Sequence, residues 1–199
     1  MINDWIITHS GKRFELADPR PEMVCIEDIA IALARQTRFN GHCDRFYSVA
    51  MHSYIISNHL PKHLRLEGLL HDAAEAYIGD ISSPLKKIIK AHWPGFKAFE
   101  TRIEEVIFDA LGVPLSNDPM IKEYDLRMLA VEHRDLMPKT EHEWSMLVGV
   151  KPLSDVFPER ESLDAQLTSR SMYHPEVMAP TFIKTFNYLK AKGWHLPKI

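Results

Sequence analysis

Residues 64–80 read LRLEGLLHDAAEAYIGD. Leu66, Leu69, Leu70, Ala73, Ala74 and Tyr77 recur at three- and four-residue intervals, the spacing that keeps side chains on one face of an α-helix. Gly79 supplies a stop, because glycine tolerates the backbone in which helices end. The same stretch sets His71, Asp72, Glu75 and Asp80 in or beside the apolar side of that helix. Acids and imidazoles enter such a side only where something offsets their desolvation. His71 and Glu75 stand one turn apart with Asp72 adjacent, so three potential ligands share one face and edge of the predicted helix.

The pattern stays helical on both flanks. IEDIAIALARQ (26–36) spaces Ile26, Ile29 and Leu33, with Ala30 and Ala34, at helical intervals, and RFYSVAMHSYIISNHL (45–60) lines up Val49, Ile56 and Leu60 before Pro61. Ser82 and Ser83 predict a cap, with Pro84 at the first helical position, for PLKKIIKAHW (84–93). Phe96, Phe99, Ile103, Val106, Ile107, Ala110 and Leu111 make PGFKAFETRIEEVIFDALGV (94–113) strongly amphipathic. DPMIKEYDLRMLAVEHRDLM (118–137) opens on Asp118 and closes at Pro138, and PEVMAPTFIKTFNYLKAKGW (175–194) predicts a terminal helix stopped by Gly193. Between Lys139 and Pro175 loops with short helical turns are expected. At the amino end, DWIITHSGKRFEL (4–16) predicts a small β-hairpin, Ser-Gly supplying the turn, with an irregular arm as the alternative. ADPRPE (17–22) then interrupts regular structure. The expected fold is all-α, a helical bundle of about six to seven helices in one domain over 1–199, plus the hairpin.

Composition narrows the function classes. The chain has 199 residues, 45% of them hydrophobic and 26% charged, enough for one core, and a net charge of −3. No basic field points to duplex nucleic acid or an anionic membrane surface. Two cysteines, Cys25 and Cys43, are too few for a secreted disulfide framework and form no CxxC pair. The amino terminus lacks the layout of a signal peptide, and no apolar run approaches the ~18 residues of a membrane span. A reducing, cytoplasmic setting is expected. His9, His142 and His195 sit in polar or terminal context and are read as solvated; His42, His133 and His174 are left unassigned.

Two or three ligands on one helix seldom complete a coordination shell, so further donors are sought on other helices. His52 lies mid-helix in SVAMHSYIIS (48–57), and the short NHLPKH turn (58–63) would fold its helix back to set His52 beside His71. Asp125, in KEYDLRMLAVEH (122–133), interrupts a face with Ile121, Met128 and Leu129 one turn to either side. A divalent cation would offset all of these groups at once.

These residues resemble the HD-domain metal-dependent phosphohydrolases, whose signature is a histidine, a His-Asp doublet and a distant aspartate on separate helices. The chain looks most like the small 5′-deoxynucleotidases and their phage and prophage relatives, through RFNGHCDRFYSVAMHS (38–53) and LLHDAAEAYIGDISSPLK (69–86). The likeness covers about residues 26–137. It implies that His52, His71, Asp72 and Asp125 hold one divalent metal ion: cobalt, manganese, zinc, iron, nickel or magnesium. It implies that Glu75 contacts the attacking water or the phosphate, and that Asp80 assists protonation or reads the sugar. Arg38 would face the phosphate, with Phe39 near the base or sugar. Phe39 stands where those enzymes carry tryptophan, and the GHCDRF insert also departs from them, which bears on substrate choice. The likeness further implies a small-molecule nucleotide partner and a dimer or higher homo-oligomer.

The chemistry is coherent on its own terms. A metal lowers the pKa of bound water from 15.7 toward ~7 and polarises a phosphoryl oxygen. Arg38, with one of Lys86, Lys87 or Lys90, would offset charge on the phosphate; otherwise those lysines form a solvated helix face. GKRF (11–14) is no phosphate-binding GxxxxGK[ST] loop, which disfavours a kinase or an NTP-driven motor. Three alternatives stand beside 5′-deoxynucleotide phosphomonoesterase: a deoxynucleoside triphosphate triphosphohydrolase, a non-catalytic nucleotide-binding regulatory module, and a metal that only braces the fold.

Overall fold

The computed structural model describes residues 4–153 and 174–193. They are mostly helical, with a two-stranded antiparallel hairpin at the amino end, β1 (Trp5–Ile7) and β2 (Arg13–Glu15). The helices are α1 (Ile26–Arg35), α2 (Val49–His59), α3 (Arg65–Leu70), α4 (Glu75–Ile78), α5 (Ser83–His92), α6 (Phe96–Leu111), α7 (Pro119–Leu136) and α8 (Pro175–Ala191). The loops expected between Lys139 and Pro175 are seen as far as Leu153, with one 3-10 turn at Ser145–Leu147. The remainder, like His195, lies outside the described residues.

Local chemistry accounts for most boundaries. Ser48 caps α2 by accepting from the Met51 N–H, and Asp118 caps α7 by accepting from the Met120 N–H. Residues 45–48, the start of the predicted second helix, are not helical. Gly79 and Gly193 take the positive φ expected of helix stops, at 82° and 64°. The predicted cap of α5 differs in detail. Ser82 holds the N-cap position without a side-chain bond, and Pro84 is the second helical residue, not the first.

The single helix predicted across 64–80 is broken. Regular structure stops at Leu70 and resumes at Glu75. Across the break Ala73, Glu75 and Ala76 donate to the carbonyls three residues back, the tighter 3-10 pattern. The cause is local: the His71 Nδ1–H donates to the Gly68 carbonyl at 2.8 Å. That acceptor is the one a regular α-helix would offer to the Asp72 N–H, so the side chain competes with the backbone. The doublet therefore sits in a tightened turn, whereas the sequence pattern had placed it on a straight helical face.

The core is one cluster drawn from the hairpin to the last helix. Ile29 and Leu33 of α1, Ile56 of α2, Leu66 and Leu69 of α3, Ile103 of α6 and Phe182 of α8 are fully buried in it. α8 packs on α1, and α2 packs on α3 and α7. Phe14 of the hairpin stacks on Tyr77 at 3.8 Å. Asp28 of α1, itself buried, accepts from both the N–H and the hydroxyl of Ser10, which pins the hairpin to the bundle. Another buried acid, Glu67, accepts from the Ser116 and Asn117 N–H groups at 3.0 Å each. Both carboxylates obey the rule that a buried polar group finds its partners. No helix among the described residues is long and apolar enough to cross a membrane.

Candidate metal centre

Packing α2 against α3 brings the His52 and His71 rings to 5.4 Å between centroids. The short turn after α2 thus achieves the pairing expected from sequence. His71 Nε2 lies 3.2 Å from Asp72 Oδ2, and His52 Nε2 lies 3.7 Å from that same oxygen. His52, His71 and Asp72 each offer one donor atom within 4.8 Å of the others, a group that could hold a metal ion. Asp125, half-exposed on α7, reaches the cluster through a 3.1 Å contact between its Oδ1 and His52 Nε2.

The outer partners decide how the two imidazoles face. A carbonyl oxygen only accepts, so the contact with Gly68 puts the proton of His71 on Nδ1 and leaves Nε2 turned inward. His52 does the same with a carboxylate: its Nδ1–H donates to Glu132 Oε1 at 2.6 Å, again leaving Nε2 on the inner side. Imidazoles anchored at one nitrogen by an oxygen and presenting the other are arranged as metal ligands are. His71 Nε2 is buried and has no hydrogen-bond partner. Inward imidazole nitrogens beside a carboxylate are donors that a divalent cation can take by displacing their protons.

Glu132 escaped the sequence reading. It is fully buried and accepts from His52 on one oxygen and, on the other, from Arg38 Nη2 at 3.1 Å. The available signal was spacing: Glu132 follows Asp125 by two helical turns and sits among Leu129, Ala130 and Val131, where an acid also needs a reason. Arg38 lies beside the cluster. Its Nη1 is 3.7 Å from Asp72 Oδ2, and its Nε is buried without a partner. Phe39 packs beneath that guanidinium, its ring centroid 5.4 Å from Cζ.

Lys86 and Lys90 are more than a solvated face. Glu100, buried on α6, draws Lys86 to 3.3 Å and Lys90 to 3.7 Å, and Lys86 also reaches Glu75 Oε1 at 3.6 Å. α5 buries none of its own residues, so these ion pairs fasten it over the acid end of the site. Glu100 was missed although it falls within the apolar stripe, four residues after Phe96 and three before Ile103, because that stripe was read only for its apolar members.

The acids divide electrostatically. Burial alone would push Asp72 up, but His71, His52 and Arg38 hold it far below the usual carboxylate range. Burial likewise opposes the charge on Glu132, and Arg38 and His52 override it, leaving that carboxyl low. For His71 burial disfavours the cation, yet Asp72 and Asp125 lift it to about 9. Glu75 goes the opposite way: burial first, then Asp72 and Asp80, raise it from 4.5 to about 9 despite Lys86. Asp80 is raised as well, by burial and by Asp72, against Arg38 and Lys86. Carboxyls pushed apart in this way are the usual mark of divided roles, charge-holders on one side and proton carriers on the other.

Glu75 therefore costs stability. With its folded pKa raised, the penalty is absent below the ordinary 4.5 and grows as pH climbs toward about 9, because only the unfolded chain then ionises freely. Glu75→Gln in metal-free protein is expected to raise the melting temperature at pH 7 by about 2–4 °C, roughly 1 kcal/mol, and to flatten its decline between pH 5 and 9. Thermal unfolding by circular dichroism across that range checks it. A lower melting point for the variant at pH 7 would contradict the reading.

No protein-family model matches the chain. It is 35% identical over 123 residues to an uncharacterized protein of Rhodobacter capsulatus, covering 57% of this chain and 61% of that one. With the uncharacterized protein YfdR of Escherichia coli (strain K12) it shares 39% identity over 153 residues, 77% of this chain and 83% of the relative. At that identity and coverage, the chain belongs to the YfdR family.

Proposed function

We propose that the chain is an HD-domain phosphohydrolase that uses one divalent metal ion to hydrolyse 5′-deoxynucleotides to phosphate and deoxynucleoside. The observation that carries this reading is the pair of imidazoles whose Nδ1 protons are tied to Gly68 and Glu132 while both Nε2 atoms face Asp72. His52, His71, Asp72 and Asp125 would hold the ion. When bound, it makes a water nucleophilic at neutral pH and polarises a phosphoryl oxygen.

The remaining residues act on the substrate. Arg38 carries a permanent charge and a free Nε–H, suited to the equatorial oxygens of a phosphate where charge develops. Glu75, with a pKa of about 9 and a buried, unpartnered Oε2, retains a proton at neutral pH that it can hand to a departing oxygen. Lys86, anchored by Glu100, steadies Glu75 from the other side. Asp80 stands ready as a second carrier or as a contact to the sugar. The two cysteines are free thiols, in keeping with a cytoplasmic enzyme.

The deciding experiment incubates the protein with deoxynucleoside mono- and triphosphates and each of several divalent metals, then identifies the products. Orthophosphate from the monophosphate is the expected result. Tripolyphosphate from the triphosphate would replace this reading with the triphosphohydrolase, and nucleotide binding without turnover under every metal would replace it with the regulatory module.

A further inference from the structure

Beside the candidate centre lies a group of rings that the core does not use. Phe39 and Trp144 are absent from the apolar cluster and from the residues packed against it. They face each other at 6.0 Å and 53°, and the His133 ring lies 4.6 Å from Trp144. Both rings are half-buried, and the chain around Trp144 is mostly exposed. The cluster nevertheless borders the centre, since Phe39 follows Arg38 and His133 follows Glu132, the two residues joined across the site at 3.1 Å.

The backbone gives a second, independent sign. Phe39 and Asn40 both take left-handed conformations, φ 56° and 53°, in the short turn Arg38–Gly41. Asparagine tolerates that conformation, but for a bulky residue such as Phe39 it is strained. In return the turn sets the Phe39 ring against the Arg38 guanidinium and toward Trp144. Strain that places an aromatic ring outside the core, against an arginine whose buried Nε–H has no partner, suits a ligand with a flat face and a negative charge.

We propose that Trp144, together with Phe39, forms the platform on which the base of the nucleotide stacks while Arg38 holds its phosphate. The assignment rests on the nucleotide reading above and names Trp144 as the residue that favours nucleotides over phosphate esters lacking a base. Stacking of a base on an aromatic side chain contributes about 1–3 kcal/mol. That corresponds to a preference of about 5- to 150-fold.

The test compares dAMP with 2-deoxyribose 5-phosphate, which keeps the sugar and phosphate and lacks the base. In Trp144→Ala the ratio of kcat/KM between the two substrates is expected to fall at least about 5-fold, chiefly through KM for dAMP, and Trp144→Phe is expected to restore most of it. In parallel, dAMP is titrated into metal-free full-length protein. Tryptophan fluorescence should be quenched in the wild type, and that quenching should be lost in Trp144→Phe, which retains a stacking ring. An unchanged substrate ratio in Trp144→Ala overturns the proposal while leaving hydrolysis in place. Quenching that requires Trp144, without hydrolysis of either substrate, overturns the phosphohydrolase reading and keeps the platform.

Discussion

Alanine at His71 or at Asp72 is expected to lower metal-dependent phosphate release by about a thousandfold or more while leaving helix content largely intact. Charge stabilisation by a metal supplies several kcal/mol to a phosphoryl transition state, and each 1.36 kcal/mol is tenfold in rate. The two residues meet at 3.2 Å in the tightened turn between α3 and α4, with His52 Nε2 facing the same Asp72 oxygen. Removing either leaves fewer inward donors than a catalytic ion needs. The fold should tolerate the change, because the neighbouring Arg38–Glu132–His52 bonds do not pass through His71 or Asp72. Metal content per chain, measured by elemental analysis after equilibration, should fall together with activity, and far-ultraviolet circular dichroism should change by no more than the turn at 71–74 accounts for. Full activity in a chelator-treated wild type would refute the mechanism at its root.

The second large effect concerns stability. Glu132→Leu is expected to cost about 3–5 kcal/mol, the range for breaking a buried ion pair by removing one partner. Glu132 has no solvent exposure and satisfies two cationic donors, so its loss strands the Arg38 guanidinium and the His52 N–H in a dry environment. At this chain length the melting temperature should drop by roughly 6–20 °C. The pH dependence has a definite sign. A carboxyl held below its ordinary 4.5 contributes stability that is present above that value and lost as pH falls through its folded pKa. The wild type should therefore lose stability on acidification below about pH 5, and the variant should lose less. Adding Arg38→Met should recover part of the loss, since the uncompensated charge is gone. A shift below about 1 kcal/mol for Glu132→Leu would show that water reaches this pair.

Much of the molecule was legible beforehand. The apolar spacing of α1, α6, α7 and α8 follows from their own side chains, as do the cap at Asp118 and the stops at Gly79 and Gly193, whereas the cap at Ser48 was passed over. The candidate ligands were visible because each is a polar residue in an apolar context. Glu132 and Glu100 were not, and Lys86 was read as a phosphate contact or a solvated side chain, although all three hold the site in shape. Their meaning lies in partners that no local pattern reveals: Glu132 meets His52 across 80 residues and Arg38 across 94.

The sequence by itself determined which segments are helices, where most of them begin and end, and which side chains can donate to a cation. Those are properties of hydrophobic period and of bonds between near neighbours. Only the tertiary structure decided that Nδ1 of His52 is spent outward on Glu132 and that Lys86 joins Glu75 to Glu100. These depend on how helices cross and on what burial does to charge, and neither quantity exists until the chain has packed.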